Sequence, residues 1–291
     1  MRGTGRATGA ITFVNALATG VGSAAGVSLA VEAALELEPT SGPTRLTVPA
    51  EADSPLVRSS FEAAVRLWSP ARTWNARLGL RSEIPPAKGL KSSSAVSGAV
   101  ARAVASALHL LVTNEEVGRL SADVSQAIGL SATGAFDDAL ATLEPGVHVT
   151  DNPTRRRLRT DAIDPSWQVI LWIPRQSHLP SPVYRERFRA VVEEGREAER
   201  AALRGDALAA MSANTGLVER IVGYDYAGLR AELQTRGALG SGVSGLGPAL
   251  AIVSPPERLS GVLRGLPPGE GDILVTRFTT GPLEFPSEAR A

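Results

Sequence analysis

Residues 93–112, SSAVSGAVARAVASALHLLV, constrain the fold more than any other stretch. Wound as a helix, they put alanine or an apolar side chain on nearly every side. A helix that is apolar all round has to be buried all round, so other elements must wrap it. The flanks offer them. VSLAVEAALELEP (27–39), RLTVPA (45–50) and NARLGLRSEIP (75–85) alternate as strands do, and SPLVRSSFEAAVRLW (54–68) has helical spacing behind a Ser/Pro start. NEEVGRLSADVSQAIG (114–129) reads as an amphipathic helix with Thr113 or Asn114 as N-cap.

Further on, residues 146–151, WQVILWIP (167–174), PALAIVSP (248–255) and DILVTRF (272–278) read as strands. YRERFRAVVEEGREAERAALRGDALAAMSANTGLV (184–218) reads as two or more helices. The stretch 152–166, with two prolines and the run Arg155-Arg156-Arg157-Leu158-Arg159, reads as a linker. Strands and helices mix in both halves, so the class is α+β, built in two α/β layers with no internal repeat. The expected domains are 1–152 and 153–291.

Composition removes several functions. Lys+Arg and Asp+Glu are both 30, so the formal charge is zero, which argues against a nucleic acid or an anionic membrane as the main partner. There is no cysteine, hence no disulfide, thiol nucleophile or thiolate metal site. His109, His148 and His178 stand apart, without metal-ligand spacing. The N-terminal segment has no apolar run fit for a signal peptide or a span, and the expected location is the cytoplasm. Monomer and homodimer both stay open.

Three glycine-rich stretches compete as binding loops. GSGVSG (240–245) matches a dinucleotide motif in letters, but a strand-like ALAIV follows it where a helix should. GVGSAAG (20–26) is one residue too long, and no P-loop occurs. PPAKGLKSSSAVSGA (85–99) differs from both. Its prolines end a strand, Gly89 allows a tight turn, and three serines open the apolar helix. It also carries Lys88 and Lys91, while the other 28 basic residues are arginine. Unpartnered N–H groups at a helix start attract an anion such as phosphate, and a serine hydroxyl can complete a Mg²⁺ shell. An ordinary serine cap is the competing reading. TGAFDDA (133–139) adds Asp137 and Asp138 with no cation close in sequence. Such a carboxylate can orient or deprotonate an acceptor hydroxyl or hold a metal, or simply cap a helix.

These residues together resemble the GHMP kinase superfamily. Pro85, Gly89, Leu90, Ser92, Ser93 and Ser94 fit its phosphate loop, which Lys91 and Ala95 complete here. Ser244, Gly245, Gly247 and Pro248 fit its C-terminal glycine loop, and Asp137 its acidic motif. Within the superfamily, VNALATGVGSAAGV, SEIPPAKGLKSSSAVSGAV, TGAFDDA and VTDNPTRRRL look most like the archaeal-type shikimate kinases, over roughly residues 5–277. The resemblance implies ATP-dependent phosphorylation of the shikimate 3-hydroxyl with Mg²⁺. It also implies an N-terminal half similar to a ribosomal-protein-S5 domain joined to a C-terminal α/β sandwich, with the active site between them.

On that resemblance Asp137 is the catalytic group, as base or positioner, Ser93 a Mg²⁺ ligand, and Asp123 a further metal candidate. Asn15, Thr19, Gly22, Ser23, Ser244, Gly245 and Arg155 become substrate contacts, with Arg155, Arg156 or Arg157 as partner of the carboxylate. The relatives' early loop reads G-K-G where this chain has Val21, so Lys88 or Lys91 is expected to supply the missing charge. Homoserine kinase, a mevalonate-branch kinase and a silent binding protein are the alternatives.

Overall fold

The structure, a computed structural model, describes residues 1–175 and 182–281; His178 lies outside them. The first half begins with β1 (Arg2–Val14), β2 (Val21–Thr40), β3 (Arg45–Thr47), α1 (Pro55–Trp68) and β4 (Thr73–Ser82). It continues with α2 (Ser92–Ala107), α3 (Asn114–Ala127), α4 (Phe136–Leu143), β5 (Val147–Asp151) and β6 (Arg156–Asp161). The second half runs β7 (Gln168–Pro174), α5 (Pro182–Arg189), α6 (Val192–Leu203), α7 (Ala207–Val222) and α8 (Ala227–Thr235). It closes with β8 (Gly240–Val243), β9 (Leu250–Ser254), α9 (Leu259–Leu263) and β10 (Gly271–Arg277).

Two sheets organise the chain, ordered β3-β4-β2-β5-β6 with β1 also on β2, and β10-β7-β9-β8. The 20-residue β2 is the spine of the first. It pairs with β1 from Ser23 to Glu36, with β5 over Val21–Ala25 and with β4 over Val31–Thr40. After β10 the chain returns to this sheet, where Phe278 bridges Val27 and Thr279 N donates to Gly26 O.

The central helix is buried as its sequence demands. Ala95, Ala99, Ala103 and Ala107 of α2 are all fully buried. They face glycines of β1: a Cβ on Gly5 would lie 1.9 Å from Ala99 O, and one on Gly3 2.2 Å from Ala107 N. Small residues on both sides let the helix axis sit close to the strand. That packing also explains β1, whose glycines and alanines are weak strand formers on their own.

Two boundaries differ from the sequence reading. The helix expected to reach 112 stops at Ala107, because His109 takes a left-handed φ of 55°. Leu108 and Val112 then pack on the core while Leu111 is exposed. Of the stretch read as a linker, residues 156–161 are instead β6, antiparallel to β5. Two of its three arginines are paired, Arg157 with Glu144 and Arg159 with Asp161, so charge marks an edge strand here. Among the described residues no helix is long and apolar enough to cross a membrane.

Candidate active site

The loop entering α2 takes its shape from three left-handed residues. Ala87, Gly89 and Lys91 have φ of 57°, 81° and 63°, alternating with Lys88 and Leu90. Such alternation turns backbone N–H groups toward one concavity, an arrangement suited to phosphate oxygens. Lys91 is the N-cap of α2 and makes no side-chain cap. Ser92, Ser93 and Ser94 therefore occupy the first turn, and the serine-cap reading gives way to an open helix start. Ser93 is exposed, Ser92 and Pro85 are half-buried, and Ser94, Leu90 and Ala95 are buried.

The second-half loop after β8 holds this one in place. Ser244 Oγ donates to Gly89 O at 2.7 Å and accepts from Thr12 N at 3.3 Å. Gly245 N donates to Thr12 Oγ1 at 2.8 Å, and Ala249 N to Lys88 O at 3.3 Å. Asn15 Nδ2 donates to Gly245 O at 3.3 Å, while Asn15 N donates to Asn214 Oδ1 on α7 at 2.8 Å. The two glycine-rich motifs and the end of β1 thus meet, though 155 residues separate Ser244 from Gly89 in sequence. Ser244 and Asn15 hold this junction together.

Across from the helix start stands α4. Ala135, left-handed at φ 51°, precedes it, and Asp137 and Asp138 fill its first turn, where the helix dipole favours acids. The two aspartates diverge. Asp138 Oδ1 lies 3.1 Å from Lys91 Nζ, both side chains being largely buried. Asp137 is 4% exposed, and its carboxyl is pushed up to about 7. Burial is the main cause, the Asp138 charge adds to it, and Lys91 and a hydrogen bond from Asn152 oppose it. Lys88 makes no ion pair among the described residues, so the two lysines have different surroundings.

Gly22 of β2 fits against the Asp137 carboxylate. A Cβ there would come within 2.5 Å of the carboxyl carbon, so any side chain would displace the acid. Ser23, the next residue, is fully buried in β2 opposite Val149. Thr19 Oγ1 accepts from Val21 N at 3.2 Å, and the Val21 side chain packs on an apolar cluster with Val14 and Val149.

Arg155 and Asp123 go elsewhere than expected. Arg155 Nε donates to Asp123 Oδ1 at 3.1 Å, Nη2 to Gln126 Oε1 at 2.6 Å and Nη1 to Thr133 O at 2.9 Å. The same Nη1 also reaches Asn152 O. With its donors spent on α3 and on the loop before α4, the guanidinium braces that loop and is not open to a carboxylate ligand. Asp123 is its partner through Oδ1 and stands on α3 as part of that brace. Among the described residues no group of three or more His, Asp or Glu is arranged to hold an ion.

Comparison with known proteins gives the family and the fold. Residues 57–146 match the GHMP kinases N terminal domain. The shikimate kinase of Pyrococcus abyssi is 35% identical over 89% of this chain and 94% of its own. That of Thermococcus kodakarensis is 35% identical over 87% of this chain and 93% of its own. Among solved structures, the mevalonate kinase of Methanococcus jannaschii superposes with a TM-score of 0.72 at 13% identity, over 96% of this chain and 99% of that one. At that identity the likeness speaks for the fold alone.

Proposed function

The chain belongs to the archaeal-type shikimate kinases of the GHMP kinase family, and we propose that it transfers the γ-phosphoryl group of ATP to the 3-hydroxyl of shikimate. One observation carries the mechanism: the Asp137 carboxyl, buried and raised to about 7, stands opposite an uncapped helix start. A base with that affinity for protons is poised to exchange one near neutral pH. The loop 87–95 and the first N–H groups of α2 hold the ATP phosphates, with Lys88 as added charge. Asp137 takes the proton of the 3-hydroxyl as its oxygen bonds to the γ-phosphorus. The bond to the bridging oxygen breaks and ADP leaves. Phosphoryl transfer of this kind depends chiefly on positioning and charge stabilisation.

Lys91 takes the part of the lysine that relatives carry where this chain has Val21. Its ion pair with Asp138 leaves Asp137 as the acid free to exchange a proton. Ser93 is the residue here that would help hold a Mg²⁺ ion accompanying the nucleotide. Ser93 offers an exposed hydroxyl at the helix start, a donor suited to an ion that keeps phosphate and water as most of its ligands. Such an ion would supply charge neutralisation on the transferring group. The setting for such chemistry is the cytoplasm.

An ADP-release assay with ATP and Mg²⁺ tests the reading, with shikimate, homoserine and mevalonate offered separately. Turnover with shikimate alone is expected. Turnover with only another acceptor keeps the phosphate site and discards the substrate.

A further inference from the structure

Asn152 lies just beyond β5, in a stretch where sequence offers prolines and arginines, and it is fully buried. Its carboxamide has four partners. Oδ1 accepts from Thr150 Oγ1 at 2.7 Å and from the backbone N of Asp137 at 3.2 Å. Nδ2 donates to Asp137 Oδ1 at 2.8 Å and to Thr133 Oγ1 at 3.3 Å. The backbone N of Asp137 is only a donor, which fixes the amide orientation: oxygen toward α4's backbone, nitrogen toward the carboxylate. The residue is itself pinned. Asn152 N donates to Gly20 O at 3.0 Å, and its carbonyl accepts from Arg155, whose guanidinium is held by Asp123, Gln126 and Thr133.

We propose that Asn152 is the positioning residue of the transfer: its carboxamide occupies Oδ1 of Asp137, so that Oδ2 is the oxygen that exchanges a proton with the acceptor hydroxyl. This rests on Asp137 being the group that meets the acceptor. The donated N–H stabilises the carboxylate form, against burial and against Asp138 on the same helix. Lys91, from the start of α2, works in the same direction as Asn152. Gly22 of β2 brings no charge, and Arg155 acts only through the Asn152 carbonyl. Without the amide the acid would hold its proton to higher pH and lose one restraint on its rotation.

The test compares wild type with Asn152→Ala and with Thr150→Val, a milder change that removes one restraint on the amide. For Asn152→Ala we expect kcat to fall about tenfold or more, with KM for ATP within about twofold and the acid limb of the kcat profile about one pH unit higher. Thr150→Val should move the same quantities less, and it keeps the test alive if Asn152→Ala does not fold. The pH titration of the Asp137 carboxyl, followed by carbon NMR on folded protein without acceptor, is the second readout. It should move upward in both variants. An unchanged titration, or a kcat loss uniform across pH, overturns the proposal. Because the titration needs no turnover, its result stands even if shikimate proves not to be the acceptor.

Discussion

The ammonium of Lys91 lies 3.1 Å from the carboxylate of Asp138, joining the N-cap of α2 to the first turn of α4. One end of that pair borders the phosphate loop and the other is next in sequence to Asp137. Lys91 also draws Asp137 downward from the value burial alone would set. Replacing Lys91 with alanine should therefore raise the acid limb of the kcat profile and lower kcat by about tenfold or more at neutral pH. Wild-type pH profiles and rates in Lys91→Ala would remove this lysine from the mechanism.

Lys88 and Lys91 should separate kinetically. Lys88 has no acidic partner among the described residues and lies in the loop proposed to bind phosphate. Lys88→Ala is expected to raise KM for ATP with a smaller change in kcat, the mark of lost binding common to ground and transition states. Steady-state kinetics over ATP concentration decide it. A kcat effect with unchanged KM would mean that Lys88 acts on the transferring group.

Asp137→Asn should lower kcat by two orders of magnitude or more, about 3 kcal/mol of barrier. A change confined to KM would contradict the assigned role.

The same substitution should stabilise the protein at alkaline pH. The folded-state affinity of Asp137 is raised, to about 7 from an ordinary 3.8, so between those values the native state binds more protons than the unfolded one. Stability from this group is then lost as pH rises through that window. Asparagine never ionises. Asp137→Asn should melt above wild type at pH 8, with the advantage shrinking as pH falls toward 4. Melting curves across that range check it; a constant difference at all pH values would disprove the linkage.

Gly22→Ala should inactivate without unfolding. The added methyl would lie 2.5 Å from the Asp137 carboxyl carbon, so the acid must shift. A loss in kcat of about a hundredfold, with ATP binding kept, is expected, since misplacement of about 1 Å can cost that much. Nucleotide titration beside kinetics shows whether the damage is local.

The turn at 85–91 and the helix start after it were legible in sequence because their parts are local: a proline pair, one glycine and three serines before an apolar helix. The Asp137 motif was legible for the same reason. Asn152 was not, since its significance comes from facing α4 across a gap of 15 residues. An asparagine before proline reads as a turn former. Arg155 misled in the opposite way. A basic run suggests a ligand partner or a solvated edge, and only the fold reveals that α3 and the loop before α4 use up one guanidinium. Residues 156–161 escaped as a strand because pairing with β5 leaves their side chains at an edge, where charge is admissible.

The contact between Asn152 and Asp137 also bears on regiochemistry. A carboxylate with one oxygen already engaged presents a single basic edge. An acceptor with several similar hydroxyls can offer only one of them to that edge in a given pose. On the proposed mechanism, choice among the hydroxyls of a polyol is exercised partly by Asp137, through the fixed rotation of one side chain, and not solely by the surface that grips the rest of the molecule.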